Sequence, residues 1–250
     1  MNDFQLPVMP YLTGTGRIEA SSGVTRLILP DATRTQYSDA QLDDRLVHQQ
    51  SLVHRPPLSI TLRARFSSQS IVGTAGFGFW NHPLFAPRNP IPLPRAIWFF
   101  YASPPSRMDL ALDVPGSGWK AAMIDATKPG ALALAPLALP VTLLNRSERL
   151  YRRIWPFVQR QLTIEEKQLP LDLLPAWHTY TIEWGTHHAR FSIDQQVMLQ
   201  TNRAPQGPMC FVAWIDNRLA VVKPTGWLEF GLFDVPDPQW LEIANFFTLP

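Results

Sequence analysis

The sequence predicts an all-β fold: a two-sheet antiparallel sandwich with one mostly helical insertion at about 130–168. Three observations predict it. Twenty-five of the 250 residues are proline, about twice the usual ~5%, and proline breaks helices and interrupts central strands. Aromatic residues make up 11%, nine of them tryptophan, a bias that suits pleated, half-buried surfaces. Roughly a dozen short strand-like segments alternate with turn residues, the pattern of two packed sheets.

Taken in order, residues 24–29 read as a first strand, ended by Pro30-Asp31, and residues 36–45 hold a second. Residues 58–66 are the clearest. Leu58, Ile60, Leu62, Ala64 and Phe66 alternate with Ser59, Thr61, Arg63 and Arg65, the period of two of a half-buried strand. Residues 73–81 form a glycine-aromatic strand, and strand glycines mark close approach to the backbone. A proline-rich loop follows at 82–94. Residues 95–102 are almost wholly apolar, as in a strand covered on both faces. Further strands are expected at 109–114 and 119–126.

The texture then changes. An Ala/Leu/Pro segment leads into Asn145-Arg146-Ser147-Glu148, which has the form of an Asn-capped helix start with Glu at the third position. Leu150, Ile154, Phe157 and Val158 recur at helical spacing, and Pro156 is expected to split or kink that helix. Strands resume at 177–184, 189–193, 197–201, 209–216, 226–233 and 240–248, with no internal repeat. The whole chain reads as one domain.

Bulk composition excludes several functions. Apolar residues are 46% and charged residues 17%, so the chain buries a core and is not of the disordered type. A net charge of +2 is too small for a nucleic-acid partner. The uncharged Ala/Leu/Pro stretch at 129–145 is shorter than a membrane span and interrupted by Pro136 and Pro140. No basic segment followed by an apolar stretch opens the chain, so a cytoplasmic location is expected. Cys210 is the one cysteine and reads as a buried small hydrophobe.

Trp177-His178-Thr179-Tyr180-Thr181-Ile182-Glu183-Trp184, followed by Phe191-Ser192-Ile193-Asp194, resembles the hairpin of family 16 glycoside hydrolases and their concanavalin A-like relatives. Gly76-Phe77-Gly78-Phe79-Trp80 resembles the strand lining their substrate cleft, and residues 240–247 resemble their closing strand. The resemblance covers about residues 20–250 and implies a jelly roll that holds a carbohydrate or other ring-bearing ligand.

It also implies a pair of catalytic carboxylates on one strand, in a Glu-x-Asp-x-x-Glu pattern. Retaining hydrolysis needs two carboxyl groups about 5–5.5 Å apart, and strand residues two apart point the same way. Here the corresponding strand, Arg95–Ala102, contains no acid, and no two carboxylates anywhere in the chain are spaced i, i+2. The standard mechanism therefore has no residues to carry it. Asp109 and Asp113 on one strand face would stand ~13 Å apart, beyond even the inverting geometry. A pair drawn from different strands, using Asp109, Asp113 or Asp216, is the alternative enzymatic reading.

Aromatic residues take the carboxylates' place. Trp80, Trp98, Tyr101 and Trp214 are expected on the concave face, with Asn81, Asp216 and Asn217 as polar neighbours, a set suited to stacking on a sugar ring. Core packing is the competing reading for each ring taken singly. His187-His188 is read as a solvated turn and His178 as structural. No His-Glu-x-x-His, His-x-His or Cys-x-x-Cys occurs, so no transition-metal site is expected. A structural Ca²⁺ near Asp43-Asp44 is a minor possibility. No Gly-x-Ser-x-Gly, P-loop or dinucleotide fingerprint is present.

The insertion carries six basic residues against three acids over 145–168. A lid or wall of the cleft and an inert solvated face are the two favoured readings; contact with an anionic membrane is the least favoured. An apolar-ligand or interfacial protein is accordingly the third functional class.

Overall fold

The computed structural model describes residues 7–45, 47–49, 51–81 and 93–249. Most of the proline-rich loop expected at 82–94 lies outside them. The strands are β1 (Met9–Thr13), β2 (Arg17–Ser21), β3 (Val24–Leu29), β4 (Asp39–Asp43), β5 (Leu58–Phe66), β6 (Thr74–Trp80), β7 (Arg95–Ala102), β8 (Arg107–Met108), β9 (Gly118–Asp125), β10 (Glu165–Leu169), β11 (His178–Trp184), β12 (Ala189–Ile193), β13 (Gln196–Thr201), β14 (Cys210–Asp216), β15 (Arg218–Val222), β16 (Leu228–Leu232) and β17 (Gln239–Leu249). The helices are α1 (Pro129–Leu134), α2 (Ala138–Leu144) and α3 (Glu148–Gln161), with short 3₁₀ turns at Ala135–Leu137 and Leu171–Leu173.

Two seven-stranded antiparallel sheets form the jelly-roll sandwich. One runs β1-β4-β14-β6-β7-β9-β10 and the other β13-β12-β11-β5-β17-β3-β2. A third sheet, β16-β15-β8, has a ladder of its own and contains a parallel β8–β15 pairing. The expected architecture, two sheets with a helical insertion, is the observed one.

The period of two decides what lies between the sheets. Ile60, Leu62, Ala64 and Phe66 of β5, Tyr180, Ile182 and Trp184 of β11, and Phe191 of β12 point inward from one sheet. Phe77 and Phe79 of β6, Ile97, Phe99 and Tyr101 of β7, Trp119 of β9 and Phe211 of β14 meet them from the other. Trp119 is fully buried and packs edge-on against Phe66, Phe77 and Tyr180. Outside the second sheet, Glu242 joins Arg26 and Arg65, each with an N···O distance of 2.5 Å.

The hairpin motif has a structural purpose. Asp194 accepts the Thr179 N–H at 2.8 Å and pairs with His178 Nδ1 at 2.5 Å. Asp194 and Gln195 both have positive φ, as a two-residue hairpin turn requires. His178 is thus engaged in holding β11 to the β12–β13 turn, and His187-His188 lies in an exposed turn.

Several local expectations are corrected. Residues 109–114 form turns rather than a strand; only Arg107–Met108 pairs there. The strand expected over 36–45 is limited to Asp39–Asp43. Helix α3 runs unbroken through Pro156, and its N-cap is Ser147, not Asn145. Asn145 instead donates from Nδ2 to the Pro224 carbonyl. Residues Glu165–Leu169, expected inside the insertion, pair with β9 at the edge of the first sheet. Strands β1, β2 and β15 had no sequence expectation.

Candidate functional site

Alternation that sends Phe77, Phe99 and Phe211 into the core sends their neighbours outward. On the outer face of the first sheet, Trp80 of β6, Trp98 and Phe100 of β7, and Val212 and Trp214 of β14 form a second apolar cluster with Met108. Trp98 stacks on Phe100 at 5.3 Å and 23°. It also lies 5.6 Å from Trp80 and 5.3 Å from Trp214. Trp80 and Trp98 remain partly exposed, so ring faces are available to a ligand.

Two glycines make this cluster possible. A methyl at Gly76 would lie 3.0 Å from Cη2 of Trp214, and one at Gly78, whose φ is +151°, would lie 2.6 Å from Cα of Trp98. Only glycine lets those residues lie so close over β6.

The rings border a cavity of about 190 Å³. Its far wall comes from the third sheet, through Met108, Ala220, Val222 and Phe230. Its polar edge comes from Tyr37, Asp39, Gln41, Arg45, Thr74, Asp216 and Arg218. Asp39 and Asp216 are register partners in the β4–β14 ladder. Residues so opposed hold their Cβ atoms about 4.5–5.5 Å apart on one face.

Their environments differ. Asp216 accepts from Thr74 Oγ1 at 2.7 Å, from the backbone N–H groups of Thr74 and Arg218 at 3.2 and 3.1 Å, and from Tyr37 O–H at 3.2 Å. Asp39 Oδ1 is buried with no hydrogen-bond partner. Burial, followed by the neighbouring charge of Asp216, pushes the Asp39 carboxyl well above the usual carboxylate range. Burial also raises Asp216, against the opposing pull of Arg218 and of the Thr74 hydroxyl. Burial raises Tyr37 too, keeping it a neutral donor, and the Arg218 guanidinium lies 4.6 Å over its ring. Two buried carboxyl groups on one face of neighbouring strands oppose each other's ionisation.

The structure therefore brings together four of the expected residues: Trp80, Trp98, Trp214 and Asp216. It places the others elsewhere. Tyr101 points into the inter-sheet core, where its hydroxyl donates to the Ile71 carbonyl, because it differs by one residue in phase from Phe100. Asn81 bridges the Leu93 carbonyl and the Arg95 N–H. Asn217 is fully buried and donates to the carbonyls of Thr33, Gln36 and Phe233 while accepting the Ser38 N–H. Both asparagines are occupied in holding loops.

Asp109 and Asp113 border a different, polar cavity of about 450 Å³. Arg107 neutralises Asp109 at 2.7 Å, and Arg152 meets Asp113 at 2.9 Å. The residues that sequence reasoning missed are Asp39, Tyr37, Thr74, Phe100 and Arg218. Their only sequence signal was position: Asp39 shares strand parity with Gln41, and Phe100 with Trp98.

Asp43 and Asp44, the pair read as a minor calcium possibility, are both engaged by protein groups. Asp43 accepts from Gln41 Nε2 and the Arg45 N–H, and Asp44 accepts the Phe211 N–H and pairs with His54 Nε2 at 2.5 Å. Donor atoms of Asp44, His48 and His54 do lie within 4.8 Å of one another, a mixed imidazole-carboxylate set closer to zinc chemistry than to calcium. Cys210 is buried beside Asp43 and Asp44, its thiol donating to the Trp80 carbonyl and pushed up by burial.

No described family and no curated protein matches the sequence. Among solved structures, a β-glucanase of Bacillus licheniformis aligns over 99% of this chain and 94% of its own, at 12% identity and a TM-score of 0.48. A structure from work on endo-acting O-glycanases of the human gut microbiota aligns over 94% of this chain and 83% of its own, at 9% identity and a TM-score of 0.49. The carbohydrate recognition domain of Emp47p aligns over 95% of this chain and 86% of its own, at 11% identity and a TM-score of 0.44.

Proposed function

We propose that this protein binds a carbohydrate or similar ring-bearing ligand in the aromatic cavity, without the standard retaining chemistry of family 16 hydrolases. One observation carries the reading. Trp80, Trp98, Phe100 and Trp214 project from three adjacent strands on the side away from the inter-sheet core, and Trp80 and Trp98 stay partly exposed there. Flat apolar faces rimmed by Tyr37, Gln41 and Arg218 match the alternating apolar and hydroxyl surfaces of a pyranose ring. The volume of about 190 Å³ suits one ring unit rather than a long chain threaded along an open cleft. Titration with mono- and oligosaccharides, followed by tryptophan fluorescence and calorimetry, tests it. Saturable binding that weakens in Trp98→Ala supports the reading; absence of binding across a broad glycan panel removes it.

A second reading rests on a separate observation. Asp39 and Asp216 supply two carboxyl groups from register partners on neighbouring strands, whose Cβ atoms stand about 4.5–5.5 Å apart, and glycoside cleavage uses a pair of carboxyl groups a short distance apart. The raised Asp39 would act as the proton donor and Asp216 as the base or nucleophile. Under this reading Asp216→Asn binds sugar but abolishes turnover. A wild-type protein that binds sugar and releases no reducing ends leaves the binding function alone.

A further inference from the structure

The helical insertion does not line the aromatic cavity. Its inner side packs on the loop after β8: Trp155, Val158 and Ile164 cluster with Ala111, and the Trp155 indole donates to the Leu110 carbonyl. Its outer side is unusual. Residues 129–145 contain no charged side chain, yet Leu132, Leu137, Leu139, Leu143 and Leu144 are 50%, 50%, 70%, 49% and 43% exposed. The β15–β16 turn extends this surface. Asn145 bonds to Pro224, and a methyl on Gly226 would meet Thr142 Cγ2 at 2.4 Å. Beside that contact Trp227 and Leu228 are 60% and 64% exposed. Contiguous apolar surface on this scale marks an interaction site.

Helix α3 supplies charge. Arg149, Arg153 and Arg160 share one face with Phe157, by their spacing of three and four, and Arg146 precedes the helix. All are exposed. Among the described residues, none of these four arginines has an ion-pair partner, whereas Arg152 is paired with both Glu148 and Asp113. Exposed leucines and a tryptophan in the same region as exposed, unpaired arginines match the apolar boundary and the anionic headgroups of a lipid surface. No helix among the described residues is long and apolar enough to cross a membrane, so the contact is one of lying on the surface.

We infer that the outer face of α1–α3, with the β15–β16 turn, docks on an anionic lipid surface. Phe230, two residues beyond Leu228 on β16, lines the aromatic cavity, so docking would bring that wall of the cavity close to the lipid. This inference stands independently of what the cavity binds.

The test is co-sedimentation of the full chain with phosphatidylcholine vesicles, with and without phosphatidylglycerol, at low and high salt. The protein is expected to sediment with the phosphatidylglycerol vesicles and to be released by salt. Arg149→Gln combined with Arg153→Gln should lower partitioning about 25-fold, at about fivefold per basic residue. Leu139→Ser combined with Leu143→Ser should abolish binding at low salt, with an unchanged thermal melt. Protein that stays in the supernatant overturns the inference, as do variants that bind like wild type. A concentration-dependent dimer lost in the leucine variant, without vesicle binding, would assign the face to a second copy of the chain instead.

Discussion

Asp39 and Asp216 stand opposite each other across the β4–β14 ladder, on the face that carries Trp214 rather than the face that carries the core. One has its lone pairs well occupied and the other has a buried oxygen without a partner. The pair is therefore a site of strain in the electrostatic sense: two acids kept where water cannot solvate them.

Stability should record that cost. Both carboxyls are raised in the folded state by burial. A raised carboxyl binds its proton more tightly when folded, so the pair's contribution to stability is greatest below the unfolded value of ~3.9 and falls as pH climbs toward the folded one. Asp39→Asn should flatten that fall and raise stability at neutral pH. Urea unfolding of both proteins between about pH 4 and pH 8 measures it; parallel curves would contradict the assignment.

The two faces of β7 should respond differently to truncation. Trp98→Ala removes a partly exposed ring from the cavity, and affinity for the ring-bearing ligand proposed for it should fall by about 2 kcal/mol, ~30-fold, with only a modest change in stability. Fluorescence titration and a thermal melt on the same sample separate the two effects.

Trp119→Ala on β9 should behave in the opposite way. Its ring is fully buried between the sheets against Phe66, Phe77, Phe99 and Tyr180. A loss of about 3–5 kcal/mol is expected, read as a lower urea midpoint. Retained stability would mean that the centre of the core lies elsewhere.

Lys120 and Glu166 form a buried pair at 3.4 Å, with side chains 1% and 4% exposed. Glu166 also accepts the Ala111 N–H, tying the loop after β8 to the sheet edge. Burial lowers the lysine and raises the glutamate, so each is costly without the other. Glu166→Ala should cost about 3–5 kcal/mol, and Lys120→Met with Glu166→Leu should recover much of it. Denaturant midpoints for the single and double variants decide the point.

Strands β3, β5, β7 and β12 were legible to the residue because strict alternation or an unbroken β-rich run marks them. Strands β1, β2 and β10 were not. They are edge strands whose residues are mostly exposed or half-exposed, so burial imposes no pattern on them. Pro156 misled because a helix braced by Trp155 and Val158 against a loop tolerates a proline that an isolated helix would not. Of the site, the three tryptophans were legible as ring-bearing strand residues. Tyr101 was misplaced because in β7 both faces are apolar, and composition cannot say which rings face the core.

By itself the sequence determined that this chain is a β-sandwich and that its β7 strand carries aromatic rings and no carboxylate. Those are properties of local pattern. Only the tertiary structure decided that Asp39 meets Asp216, that Trp98 faces outward while Phe99 and Tyr101 face in, and that the leucines of the insertion lie on the surface. Each of these depends on which strand pairs with which, and in what register. A shift of one residue exchanges the two faces of a strand, and that choice is made by contacts between segments far apart in the chain.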